Sequence, residues 1–171
     1  DFSPIIHGSC ISSECVSDIC NVEAFNTDRI IFIENKTNYS EYCLNTKNER
    51  ELVVYHGGFY SPQRGEFFRK LCADTDIPVY FWGDIDYGGF KMFMRLKSNI
   101  ISGLQPLNMD LISYNCYKSK GLSKGDDYII KLSALKSDED YYDFFDVIDA
   151  IIAGKITVEQ EAFLEKELLP I

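Results

Sequence analysis

The sequence predicts an α/β domain: a parallel sheet flanked by helices, with extra helices toward the C-terminus. Three observations carry that prediction. Short apolar runs recur at Arg29–Ile33, at residues 52–55 and at Val79–Trp82, each of a length and composition suited to a buried strand. Helix-start signals and helical periodicity fill the intervals, and strands alternating with helices imply parallel pairing. Hydrophobic residues make up 46% of a 171-residue chain, which supports one sizeable core rather than a disordered segment.

The elements follow in order. Residues 1–28 form a polar, Ser- and Cys-rich lead-in, and residues 29–171 form the domain with its helical extension. The chain opens on Asp1 without a Met, so a longer natural product is expected. The first strand ends on Glu34. Asn38 with Glu41 three residues later fits a capping box and predicts a helix over 39–45. The second strand runs into His56-Gly57-Gly58, where His56 reads as a turn residue. Ser61-Pro62 starts the next helix, Ser as cap and Pro at the first helical position. Phe67, Phe68, Leu71 and Cys72 line its inner face.

Val79–Trp82 leads into Gly83, Asp84 and Asp86, then Tyr87-Gly88-Gly89, and a helical pattern opens at Phe90. A fourth strand is expected over 108–112. Beyond it, 117–125 reads as a mobile Lys-, Ser- and Gly-rich loop, and 140–152 as an acidic helix stopped by Gly154. Thr157 with Gln160 forms another capping box, opening a last helix that carries Glu159 and Glu161.

Composition narrows the function. The net charge is −10, a surface that does not steer itself onto a phosphate backbone. If the partner is DNA, another domain or subunit must supply much of the grip. No apolar run is long enough to span a bilayer, and no signal peptide is visible. The six cysteines include no CxxC pair. His7, Cys10, Cys15 and Cys20 have spacings that fit no common zinc motif. Reduced thiols, and hence a cytoplasmic setting, are expected.

The chemistry concentrates at the strand ends. Two carboxylates about 5 Å apart at an effective dielectric near 20 repel by roughly 3 kcal/mol, a cost that a hard divalent cation turns into a gain. The plainer alternative is that Asp86 caps the helix and Asp84 is a solvated loop residue. Glu34 raises the stakes, because it ends strand one as Asp84 follows strand three. If the strand order is 2-1-3-4, those ends are neighbours at the crevice where open α/β sheets bind ligands. Glu34, Asp84 and Asp86 would then surround one Mg²⁺ or Mn²⁺.

The segments IFIENKTNY and VYFWGDIDYGGF resemble a Toprim domain, the metal-binding fold of topoisomerases, bacterial primases and OLD-type nucleases. The form WGDID-x-x-GF, with ENK upstream and VEQEAFL downstream, resembles the C-terminal Toprim domain of the Wadjet JetD family, the nuclease subunit of a plasmid-defence system. The resemblance implies that Glu34, Asp84 and Asp86 are catalytic metal ligands. It also matches Glu159-Gln160-Glu161 to the family's EQE element. On a helix those two glutamates point about 200° apart, so one of them at most is expected to reach the metal. Many relatives carry a His where this chain has Gly88, which removes that residue as a phosphate-positioning group. Lys36 is a further candidate for a scissile phosphate, and Lys118, Lys120 and Lys124 for a DNA backbone.

The reading these features favour is a divalent-metal-dependent DNA endonuclease domain that hydrolyses phosphodiesters. Its implied partners are plasmid duplex and condensin-like Wadjet subunits, with a homodimer as a further expectation, and the isolated domain is expected to cut poorly. No Tyr is assignable as a strand-passing nucleophile, so topoisomerase-like transesterification is the weaker enzymatic variant. The alternative from another class is a non-catalytic Toprim-like docking or dimerisation module. A phosphatase of the kind that opens from DxD on its first strand is discounted, because here the pair follows the third.

Overall fold

The computed structural model of the protein describes residues 13–19, 26–73 and 76–164. Its centre is a four-stranded parallel sheet of β1 (Arg29–Ile33), β2 (Glu51–Tyr55), β3 (Val79–Trp82) and β4 (Gln105–Pro106), in the order β2-β1-β3-β4. This is the expected parallel α/β architecture, consistent with a Toprim-like fold. In β1, Ile30, Ile31, Phe32 and Ile33 are all wholly buried, as befits a central parallel strand covered on both faces. Arg29 pairs with the buried Glu51 where β1 and β2 begin, fixing the register at one end. The winding reverses between β1 and β3.

Helices α1 (Lys36–Asn45), α2 (Pro62–Cys72) and α3 (Tyr87–Asn99) connect the strands. Ser61 caps α2 as its sequence predicts, accepting from Arg64 N–H at 3.3 Å. The start of α1 differs from expectation. Its cap is Asn35, which accepts from the N–H groups of Thr37 and Asn38 at 2.8 and 3.1 Å. The helix therefore opens three residues earlier, and Asn38 is a buried helical residue. Likewise α3 begins at Tyr87, capped by Asp86.

The C-terminal half departs further. Residues 108–112 are no strand: Asn108 has φ 56°, and Asp110 caps α4 (Leu111–Tyr117). The fourth strand is instead the two-residue β4, where Pro106 is tolerated at a sheet edge. Part of the expected loop at 117–125 is ordered. Leu122–Ser123 forms β5, antiparallel to β6 (Ile156–Thr157). There Gly121 is required, since a Cβ would lie 2.4 Å from Thr157 O. Helix α5 (Asp126–Ser133) follows, and the acidic helix divides into a 3₁₀ segment, Glu139–Phe144, and α6 (Phe145–Gly154). Gly154 is the last helical residue, and Lys155 takes the left-handed conformation after it.

Thr157 lies in β6, not at a helix cap. The last described element is a 3₁₀ turn, Gln160–Phe163, in place of a full helix. In the lead-in, Ser13–Asp18 is a 3₁₀ turn whose Val16 is buried and accepts from Lys70 Nζ at 2.8 Å. Of the four residues weighed as a zinc set, His7, Cys10 and Cys20 lie outside the described residues, and Cys15 is exposed. No helix among the described residues is long and apolar enough to cross a membrane.

Candidate functional site

The carboxyl ends of β1 and β3 are fastened together before any charge is added. Glu34 N–H donates to Trp82 O at 3.0 Å, and Gly57 N–H donates to Glu34 O at 3.2 Å. Glu34 is thus tied by its backbone to both neighbouring strands. Gly83 has no side chain for a reason: a Cβ there would sit 2.7 Å from the Phe81 ring and 2.9 Å from Glu34 Oε2. Glycine lets the Glu34 carboxylate lie close over the β3 backbone. A Cβ on Gly89 would fall 2.0 Å from Asp84 O, so the first turn of α3 packs directly on the loop carrying Asp84. Asp86 caps that turn, with Oδ1 accepting from Gly89 N–H at 2.8 Å.

A distant segment completes the crevice. Ile85 and Val158 form an antiparallel bridge, exchanging N–H···O bonds of 2.8 and 3.2 Å. Two residues later comes Gln160, wholly buried. Its N–H donates to Asp84 Oδ1 at 2.7 Å, and its Nε2 donates to Trp82 O at 3.1 Å. Its Oε1 accepts from Asn35 N–H at 2.8 Å, and its carbonyl accepts from Asn38 Nδ2 at 2.7 Å. One side chain therefore joins the ends of β1 and β3, while its own backbone holds the Asp84 carboxylate and α1.

Glu159 has an extended backbone, φ −82° and ψ 152°, and precedes the 3₁₀ turn. The helical projection that would send Glu159 and Glu161 apart does not apply, and both line the same cleft as Glu34 and Asp84. Glu161 Oε1 also accepts from Asn35 Nδ2 at 2.6 Å. The cleft measures about 440 Å³, with Lys36 and Tyr55 on its walls. Asp86 is not among its lining residues, although its charge acts on both Glu34 and Asp84.

Burial is the largest influence on the two innermost carboxyls. It lifts Glu34 from its ordinary 4.5 to about 7, with the Asp84 charge adding to the lift. Asp84 rises from 3.8 to about 6, again chiefly through burial, against the pull of the Gln160 N–H. Glu34 Oε2 is buried and has no hydrogen-bond partner. Partnerless buried acceptors are costly, and a cation would satisfy this one.

Among the described residues no three His, Cys, Asp or Glu side chains are gathered into a ready-made cage. Mg²⁺ is held through one or two carboxylates and keeps several waters, and Glu34 and Asp84 line one cleft. The oxygens present fit such an ion.

Sequence reasoning missed three residues here. Gln160 reads in the sequence as a helix-cap partner and as the middle of the EQE element, and its burial has no periodic signature. His56 is not a turn residue but a buried member of an aromatic cluster, beside Phe32, Tyr60, Phe68 and Phe81. Tyr128, on α5, reaches the start of α3, where its hydroxyl accepts from Tyr87 N–H at 2.8 Å; nothing in its local sequence marks it.

Comparison with known proteins identifies the family. Residues 6–168 match the family model described as Wadjet protein JetD, C-terminal. The chain is 32% identical over 146 residues to a curated Wadjet protein JetD from Bacillus cereus (strain Q1), covering 84% of this chain and 35% of that protein. It thus spans about a third of the length of the curated relative it matches. With the family match running through Glu34, Asp84, Asp86 and the Glu159-Gln160-Glu161 element, the chain belongs to the JetD C-terminal family.

Proposed function

We propose that this chain is a divalent-metal-dependent DNA endonuclease domain acting within a Wadjet plasmid-defence assembly. The observation that carries the reading is the partnerless, buried Oε2 of Glu34 in a cleft shared with Asp84, Glu159 and Glu161. An inert scaffold gains nothing from clustering such charges. Glu34 and Asp84 would hold a Mg²⁺ or Mn²⁺, and Asp86, Glu159 and Glu161 would extend the oxygen set. A bound ion of this kind polarises a phosphodiester and makes a water more acidic.

The remaining roles belong to the chain. Gln160 N–H holds Asp84 Oδ1 in place on a residue that lines the cleft. Lys36, on the cleft wall, is the cation available to a phosphate oxygen. Hydrolysis fits better than strand-passing transesterification, because no Tyr of this chain is assigned as a nucleophile.

The net charge of −10 supports a division of labour. Condensin-like Wadjet subunits would present the plasmid duplex, in the cytoplasm, to a domain that grips DNA poorly by itself. The same charge favours a second reading, a docking or dimerisation module that does not cut. One experiment separates them. The protein is combined with its partner complex and plasmid in Mg²⁺, beside Asp84→Ala in the same mixture. Loss of cleavage with Asp84→Ala is expected, and equal cleavage would leave the docking reading. Calorimetry supplies the binding arm: folded Glu34→Gln should bind Mn²⁺ at least about tenfold more weakly, equivalent to about 1.4 kcal/mol. Unaltered affinity would remove Glu34 from the site.

A further inference from the structure

The cleft is lined by two kinds of group. Glu34, Asp84, Glu159 and Glu161 offer acceptors, whereas Lys36 and Tyr55 offer donors. Asn35, also on the wall, is already occupied: its oxygen caps α1 and its amide donates to Glu161. Tyr55 ends β2 and is 40% exposed. Its hydroxyl has no hydrogen-bond partner among the described residues.

The ring is nonetheless held in place. Tyr39 packs against it with 5.8 Å between ring centres. Gly57 lies against its tip: a Cβ there would stand 2.9 Å from Tyr55 Cζ and 3.0 Å from the hydroxyl oxygen. Gly57 also has φ 65°, so glycine serves both the backbone and the close approach. The Gly57 peptide is anchored in turn. Its N–H donates to Glu34 O at 3.2 Å, and Arg64 Nη1 donates to Gly57 O and His56 O at 3.0 and 2.9 Å. The phenol therefore rests on a backbone tied to Glu34, the residue at the centre of the proposed metal site. A donor held in this way loses little further freedom when a ligand binds.

We infer that Tyr55 is a substrate-contacting residue. With Lys36 it binds a phosphate of the nucleic-acid strand crossing the cleft, its hydroxyl donating to a non-bridging oxygen. The inference deepens the proposed function and rests on it. A phosphodiester anion entering a cleft rich in carboxylates needs donors to hold it, and a hydroxyl supplies one without a positive charge that would repel the metal. Tyr55 keeps its proton and forms no covalent bond.

The test uses a small probe, thymidine 3′,5′-bisphosphate, titrated by calorimetry into the intact protein in saturating Mn²⁺. Tyr55→Phe keeps the ring against Tyr39 and Gly57 and removes only the oxygen. It is expected to weaken the bisphosphate about tenfold, equivalent to about 1.4 kcal/mol, while Mn²⁺ affinity stays within about twofold of the parent. Lys36→Gln should weaken the same probe at least as much. Unchanged bisphosphate affinity in Tyr55→Phe overturns the inference, as does a parent that binds Mn²⁺ but not the bisphosphate. A fall in Mn²⁺ affinity as large as the fall for the bisphosphate would mean that Tyr55 only shapes the crevice, and also overturns it. In the reconstituted plasmid mixture Tyr55→Phe should slow cleavage without abolishing it. Complete loss, together with a DNA-linked protein in the parent, would make Tyr55 a nucleophile and overturn its role as a donor. The Glu34→Gln arm separates the two levels. If Glu34→Gln weakens Mn²⁺ binding but Tyr55→Phe leaves the bisphosphate untouched, only the role of Tyr55 falls. If the parent binds no Mn²⁺, the metal site falls and the inference with it.

Discussion

Glu34 and His56 stand one step beyond the last registered pair of β1 and β2, Ile33 and Tyr55, and they solve the same problem in opposite ways. Both are ionisable groups at the end of a buried strand, and both have side-chain atoms without hydrogen-bond partners. Burial drives each toward its neutral form, Glu34 up to about 7 and His56 down to about 4. The surrounding field then reinforces burial in both. Carboxylates flank Glu34, whereas the Arg64 and Arg95 charges bear on His56. The difference lies in access. His56 is closed in by rings, stacked on Phe68 at 5.4 Å and edge-on to Phe81 at 5.1 Å, so nothing can reach its nitrogens. Glu34 opens on a cleft lined with more oxygen. A perturbed group is therefore not a site by itself; the proposed metal site rests on perturbation next to an entrance, among like charges.

The contrast breaks most severely at Gln160, which keeps the crevice in shape. Gln160→Ala deprives Asn35 N–H and Trp82 O of their side-chain partners. Asn35 N–H is left without a partner, at about 2 kcal/mol, while Trp82 O keeps its bond from Glu34 N–H. With about 2 kcal/mol more for that weakened acceptor and the cavity left by the truncated side chain, the expected loss is about 4 kcal/mol by urea denaturation. A loss below about 1 kcal/mol would mean that water takes over the role.

Next in size is the acid response of the ring-enclosed histidine. An unfolded His binds its proton near 6.5, while folded His56 resists until about 4. The unfolded state therefore takes up more protons between those values, and stability falls as pH falls. The full effect is about 3 kcal/mol, complete near pH 4. His56→Leu should remove this component and leave a flatter acid limb in melting curves taken from pH 7 to pH 4. A limb unchanged by the substitution would place the acid sensitivity elsewhere.

The smallest effect has the opposite sign. Glu34 and Asp84 have raised values in the fold, so the folded state keeps their protons longer, and their contribution to stability is lost as pH rises from about 4 to 7. Without metal, Glu34→Gln should melt roughly 2–4 °C above the parent at pH 8, with the gap closing toward pH 4. Saturating Mg²⁺ should reverse the order, since only the parent has the full ligand set. A gap independent of pH would show that the substitution acts through packing and not through charge.

The sheet is readable because its strands are short apolar runs with abrupt polar ends. The strand order is an assumption at that level, from which the meeting of Glu34 and Asp84 at one crevice follows, and the observed order β2-β1-β3-β4 matches it. Where the reading failed, tertiary contacts had overridden local pattern. The 39–45 helix was started too late because Asn38 with Glu41 imitates a capping box, whereas Asn35 makes the cap and Asn38 turns inward to Gln160 O. The Thr157–Gln160 box failed for the same reason: pairing with β5 and the Ile85–Val158 bridge hold that stretch extended. Both errors fall on residues committed to the crevice. Gln160 and Tyr128 were invisible for a deeper cause, since their partners lie 125 and 41 residues away respectively.

The bridge from Asn35 to Gln160 also sets a timetable for the living cell. Synthesis proceeds at about 5–20 residues per second, so the 125 residues between those partners take roughly 6–25 s to appear. During that interval β1, β2 and β3 can already pair, yet the Asp84 carboxylate has no Gln160 N–H to hold it and neither Glu159 nor Glu161 is present. A ribosome that stalls inside α6 releases a folded-looking sheet with an unfinished crevice. On the proposed function, a copy terminated there would lack the Glu159 and Glu161 oxygens and the hold on Asp84, and would be expected not to cut.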